Sequence, residues 1–298
     1  MNGILHFLNR HQWFSITAGV IYFSATVLLH KVVANLSLDV EKKVTYASYN
    51  KGWGLFAIIG LFSISLTIIF KILKSKDRGF KFFFLSLTAA LIAASHLVVL
   101  AVNLEYIHIM QFSLLVFPVF VLSKRFGETV FWIGLLGAVD ELCQYYVVWW
   151  PHQSYFDFND ITMDIVGGFF MVFLISLWVK KEIYFSSERN KKRKWTSSPV
   201  PIVAATLIIL ALIANLTGYM RFYPKSGGNT ESRPIILLSN DPPASGFWSV
   251  FEKGKTYHIQ GAVEWMLILL FLTGVYSLLD WRFQRTAGPP QAFERKRE

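Results

Sequence analysis

Residues 129–148 read TVFWIGLLGAVDELCQYYVV, 20 residues with no Lys or Arg but with Asp140 and Glu141 side by side. About 20 apolar residues is the length of a helix that crosses a bilayer. A cation at the centre of such a helix costs roughly 2.5–3.5 kcal/mol on insertion scales, which makes its absence informative. Two adjacent acids in the same stretch are costly too, so they call for partners, protons or water.

Seven further segments share this character: Trp13–Leu29, Trp53–Phe70, Phe82–Val102, Ile107–Leu122, Ile161–Val179, Val200–Tyr219 and Ala262–Leu279. The fourth in chain order is short and is extended back towards Leu104, which brings Glu105 into its first turn. The composition agrees. The chain is 54% hydrophobic and 16% charged, against about a quarter charged in soluble domains, and its mean hydropathy is +0.43. The expected fold is all-α, a polytopic helical membrane protein with about eight transmembrane helices. Its first apolar run is longer than the usual core of a signal peptide and lacks a small-residue cleavage pattern, so it reads as a retained helix.

Charge sets the orientation. With the N-terminus inside, the segments 1–12, 71–81, 123–128, 180–199 and 280–298 hold 20 of the 29 Lys and Arg residues. This is the inside excess expected of membrane proteins, and it places both termini in the cytoplasm. The strongest vote is Lys191, Lys192, Arg193 and Lys194. Trp149 and Trp150 suit an outer interfacial belt. The net charge of +10 therefore fits anionic lipid head groups and needs no nucleic acid. The single Cys143 leaves no intrachain disulfide to form.

Three parts follow from the spacing of the segments. Residues 1–79 form an N-terminal two-helix pair, and residues 80–180 form a four-helix core with short outer connections. Residues 181–298 hold a basic cytoplasmic loop, a C-terminal helix pair and a polar tail with Gly288, Pro289 and Pro290. Within the last part, the outer loop 220–261 is rich in Pro and Gly, and Ile235–Leu238 reads as a short strand.

The core holds the polar residues of interest. Glu105, His108 and Gln111 recur at intervals of three along one side of a helix. In the next helix Asp140 and Gln144 share a face and Glu141 borders it. Asp160 and Asp164 stack at a spacing of four in the one after, preceded by Asp157. The alternating topology brings all three faces towards the outer leaflet. The expectation is an outward-facing polar pocket. Glu105, His108, Asp140 and Glu141 are the candidate acid/base residues, and Gln111, Gln144, Asp160 and Asp164 the candidate binding residues. His108 is paired with Glu105 as a proton partner, and Gln111 and Gln144 orient a polar head group. A histidine among carboxylates also suits a divalent cation.

Simpler roles compete for several positions. Asp140, Glu141 and Gln144 also suit an interhelical hydrogen-bond cluster. Asp157 reads as a solvated loop acid and Asp160 as a helix cap. Gly167 and Gly168 read as close-packing residues, and His96 as a packed or hydrogen-bonded histidine.

These motifs resemble the VanZ-like family, named for a teicoplanin-resistance protein. Glu105-Tyr-Ile-His108-Ile-Met-Gln111-Phe112 is similar to the family's first motif. Asp140-Glu141-Leu-Cys-Gln144 is similar to its second, and Asp160-Ile-Thr-Met-Asp164-Ile-Val-Gly167 to its third. The resemblance covers residues 80–180. The chain has Phe112 where the family often has Tyr and Asp164 where it often has Asn. It also lacks the Arg usual before the third motif, where His152 is the one candidate cation. The resemblance implies a bacterial cell-envelope protein of the cytoplasmic membrane, linked to susceptibility to lipid-tailed glycopeptides. Its partners would be membrane lipids and a lipid-linked envelope precursor. Two other classes stay open: an ion- or proton-coupled transporter, and an accessory membrane protein whose acids only set packing.

Overall fold

The computed structural model describes residues 1–75, 77–101, 105–148, 156–179, 198–221, 236–238, 247–250 and 256–286. Trp149, Trp150, His152, the Lys191–Lys194 run, the loop breakers from Pro224 to Gly246 and the tail after 286 lie outside the described residues.

Helices dominate. They are α1 (Asn2–Arg10), α2 (Gln12–Lys43), α3 (Tyr46–Leu73), α4 (Arg78–Ala94), α5 (Tyr106–Ser123), α6 (Phe126–Cys143), α7 (Phe158–Trp178), α8 (Val200–Leu216) and α9 (Ala262–Thr286). Each of the eight apolar segments overlaps one of α2 to α9. Among the described residues, six helices are long and apolar enough to cross a membrane: α2, α3, α4, α5, α7 and α9. Helix α8 is apolar but shorter, and α6, which carries Glu128, Asp140 and Glu141, is not one of the six. The exterior agrees. Large side chains such as Phe62, Phe70, Ile202 and Leu216 stand more than half exposed, a surface suited to lipid rather than water. The chain is an all-α membrane protein.

The short α1 is a separate element that the apolar segments do not announce. Leu5 and Leu8 are buried, while His6 and Arg10 on the other side are exposed, the two-sided pattern of an amphipathic helix. Two π-helical turns, Ser95–Val99 and Gln144–Val148, continue α4 and α6, and two ladders of two residues per strand are also present. β1 (Met220–Arg221) pairs in parallel with β2 (Ile236–Leu237), inside the expected strand 235–238. β3 (Ser249–Val250) pairs antiparallel with β4 (Thr256–Tyr257).

Helix α7 is the buried axis, with most residues from Phe158 to Leu177 enclosed. Helices α4, α5, α6 and α9 surround it. Glycines set the closest approaches. A Cβ on Gly167 would stand 2.3 Å from the Ile109 carbonyl oxygen, so α7 meets the backbone of α5. Gly168 faces Ile133 of α6, and Gly134 faces Leu269 of α9. Gly167 and Gly168 are thus close-packing residues.

Contacts also fix direction. His108 meets Asp164 and Ser113 meets Gly167, so α5 and α7 run the same way. Gly137 meets Asp164 while Ile133 meets Gly168, so α6 runs against α7. Helix α2 runs against α5, with Gly19 on Pro118, the Tyr22 hydroxyl donating to the Gln111 carbonyl, and His30 beside His108. Positions 19, 22 and 30 form one stripe at helical spacing. The N-terminal helix pair is therefore not a bystander, since α2 walls the core.

The end of the bundle where α6 begins is tied by Asp280 of α9. Its two carboxylate oxygens accept the backbone N–H groups of Phe126 and Gly127 at 2.9 and 3.1 Å. A carboxylate at a helix N-terminus satisfies unpaired donors and meets the positive end of the dipole. We predict that Asp280→Ala lowers stability by about 1–3 kcal/mol and that Asp280→Asn, which keeps one acceptor, lowers it less. Thermal melts of the detergent-purified protein check this ranking.

Candidate functional site

At the opposite end of the bundle, the polar residues of α5, α6 and α7 meet. Asp164 sits six residues into α7, roughly 9 Å from its start. Its Oδ1 is 3.0 Å from His108 Nδ1, and the other ring nitrogen of His108 is 3.7 Å from Asp160 Oδ2. His108 and Asp164 are both buried. Gly137 makes room for this pair, because a Cβ there would stand 2.8 Å from Asp164 Oδ2.

Asp140 approaches from α6. One ligand atom from each of His108, Asp140 and Asp164 lies within 4.8 Å of the others. Gln144 Nε2 donates to Asp140 Oδ2 at 3.2 Å, the contact expected from their spacing of four. Gln144 opens a π-helical turn, Gln144–Val148, that continues α6. Such wide turns often occur at functional sites. Asp140 Oδ1 is buried and has no hydrogen-bond partner among the described residues.

The sequence-derived roles shift in four places. His108 engages Asp164 and Asp160, whereas Glu105, its expected partner, stands at the N-cap of α5 and accepts the Ala101 N–H at 3.0 Å. Glu141 borders the cluster but turns to the connection before α7, where its Oε1 accepts the Asp157 N–H at 3.1 Å. Asp157, expected to be a solvated loop acid, caps α7 by accepting the Asn159 N–H at 2.9 Å. Asp160, a candidate binding residue for which a helix cap was the simpler role, lies in the first turn instead of at the cap. His96 is hydrogen-bonded, as read, with the Tyr106 hydroxyl 2.7 Å from its Nδ1.

A cleft of about 180 Å³ opens beside the cluster, lined by His30, Val33, Ala34, Glu105, Ile107, His108, Gln111, Asp157 and Asp160. Of the predicted site residues, Glu105, His108, Gln111 and Asp160 reach this cleft. Asp140 and Asp164 lie behind His108, and Gln144 supports Asp140. The lining holds no Lys or Arg. It is therefore an acidic pocket with two imidazoles.

Two contributors were missed. The His30 ring lies tilted against that of His108, with centroids 5.6 Å apart. It follows directly on the first apolar segment, and one more helical turn would have included it. Buried Asn159 donates to the carbonyls of Val99 and His258 and accepts the Gln260 N–H. It thereby holds the segment before α9 over the start of α7. Thr162 adds a bond to the Gln260 side chain. No periodicity announces a contact across about a hundred residues.

Asp157 lies just outside the apolar span. Burial, reinforced by the charge of Asp160, pushes its carboxyl from 3.8 up to about 7. The folded chain then keeps a proton that the unfolded chain has released. The contribution of Asp157 to stability is therefore expected to fall as pH rises from 3.8 to about 7 and to level off above that. We predict that Asp157→Asn, which keeps an acceptor for the cap, shows a shallower loss across this window. Melting temperature against pH for both proteins checks it.

Compared with protein-family models, with curated proteins and with solved structures, the chain finds no match in any of the three.

Proposed function

We propose that this chain is a VanZ-like cell-envelope protein of the bacterial cytoplasmic membrane. It binds, at an outward-facing cleft, the polar head group of a lipid-linked or cell-wall component. The observation that carries the reading is the cleft itself. Charged and polar groups of α2, α5 and α7 line one pocket at one end of a bundle whose outside is apolar. An amphiphile fits such a place, with its tail along the exposed apolar faces and its head among the polar side chains.

In this reading all eight apolar helices span the bilayer and both termini are cytoplasmic, which the excess of Lys and Arg on one side supports. The alternating directions of α2, α5, α6 and α7 are compatible with it. A coupled transporter is less well supported. Below the cluster the helices close on one another, with Gly167 against the Ile109 backbone and Phe112, Val116, Phe169 and Phe173 buried. A route across the membrane would need polar groups there.

The test is teicoplanin susceptibility in a strain where the wild-type chain has an effect. With Asp160→Asn or Asp140→Asn, at equal protein levels, susceptibility is expected to return to that of cells lacking the protein. An unchanged effect with both variants would refute a role for these charges.

A further inference from the structure

We infer that His108, Asp140 and Asp164 form a binding site for one divalent transition-metal ion of the Zn²⁺ or Mn²⁺ type. The inference deepens the reading above and rests on it, since it concerns the back wall of the same cleft.

Four observations support it. The three ligand atoms already lie within 4.8 Å of one another, on three different helices. Donors on an ion with bonds of 2.0–2.2 Å stand roughly 3.3–3.6 Å apart, so small side-chain rotations suffice. Asp140 is 3% exposed, and its two oxygens are used differently. Gln144 holds Oδ2, while Oδ1 has no hydrogen-bond partner among the described residues. This is how a ligating carboxylate is commonly held, one oxygen tethered and one available.

His108 repeats the arrangement. With Nδ1 turned to the cluster, Nε2 faces the Asp160 carboxylate at 3.7 Å, as a metal-bound imidazole is usually backed by an acid. Charge completes the case. Two buried carboxylates and a neutral imidazole carry two negative charges, which one divalent ion cancels. The donor set of one nitrogen and two carboxylates suits Zn²⁺ or Mn²⁺ better than Mg²⁺ or Ca²⁺, which prefer all-oxygen shells.

A metal would also make the cleft hospitable to an anion. Its lining has acids but no Lys or Arg. A phosphate head group meets repulsion there unless a cation stands at its back wall.

The experiment uses the full chain, purified in detergent through a tag free of histidine, stripped with chelator and titrated calorimetrically with Zn²⁺. The expected result is one ion per chain. Asp140→Asn and His108→Gln should weaken binding by at least about tenfold, and Gln144→Ala by less. Asp39→Asn, at an exposed acid far along α2, should bind as wild type does. Added Zn²⁺ should raise the melting temperature of wild type and not of Asp140→Asn, a readout that also shows whether the variant is folded.

The inference is overturned if folded wild type binds no Zn²⁺, if Asp140→Asn and His108→Gln bind it equally well, or if Mg²⁺ binds as tightly. A stripped protein that still retains a lipid-linked head group but binds no Zn²⁺ would sink the metal site and leave the head-group reading standing. A protein that binds Zn²⁺ at these residues but no head group would do the reverse.

Discussion

Gly167→Leu is expected to prevent the chain from accumulating as a folded protein. Even a methyl group at this position would stand 2.3 Å from the Ile109 carbonyl oxygen and 2.7 Å from its Cα. These are backbone atoms of α5, so no side-chain rotation makes room. The helices must separate, and separation breaks the bond from the Ser113 hydroxyl to the Gly167 carbonyl, 2.9 Å long. It also draws His108 away from Asp164. Overpacking a close core contact costs about 1–3 kcal/mol, more where backbone must move; with the lost hydrogen bond, the loss at Gly167 is placed at about 3 kcal/mol or above. Gly274 in α9 is the matched control, because nothing lies within 4 Å of a Cβ there. Gly274→Ala should be neutral or slightly stabilising, since alanine favours helix more than glycine does. Size-exclusion profiles and thermal melts of the two variants read the contrast directly.

His108→Ala comes second in expected effect. The imidazole is 3% exposed and stands between Asp164 and Asp160. Removing it leaves buried acids facing one another, with a cavity in place of their partner. Breaking a buried charged pair from one side costs roughly 3–5 kcal/mol. Asp164→Asn should cost much less. Its amide oxygen still accepts a hydrogen bond from the ring N–H, and the site loses one of its negative charges. A thermal melt that ranks the three proteins as wild type, Asp164→Asn and His108→Ala, in descending order, supports the pair. Equal melts for wild type and His108→Ala would show that the imidazole holds nothing.

Much of this arrangement was legible because local spacing and helical periodicity report on one another. Asp140 and Gln144 are four apart and do bond. Asp160 and Asp164 stack on one face of α7, and both reach His108. The apolar segments mark their helices because backbone groups in lipid must be satisfied within each segment. What spacing does not convey is tertiary choice. His108 had acids available on its own helix and on two others, and only packing selects Asp164. His30 joins the site because Gly19 and Tyr22 dock α2 on α5, a contact between segments nearly a hundred residues apart. That Asp157 and not Asp160 caps α7 reflects where the helix starts, at Phe158. Helix ends are hard to place to within a turn from sequence alone.

The amphipathic α1 was hidden for a different reason. Its apolar residues are too few to register as a span, and its role depends on Leu5 and Leu8 finding the side of the bundle. The segment before α9 is likewise held by side chains of α7: Asn159 bonds the His258 carbonyl and the Gln260 N–H, and Thr162 bonds the Gln260 side chain.

The most direct test of the proposed cleft is mass spectrometry of lipids retained by the purified protein. Wild type is compared with Asp160→Asn and Asp140→Asn, each shown to be folded. Wild type is expected to retain a lipid-linked component, held by its head group, that both variants lose while keeping the same bulk phospholipids. Identical lipid profiles for all three proteins would contradict it.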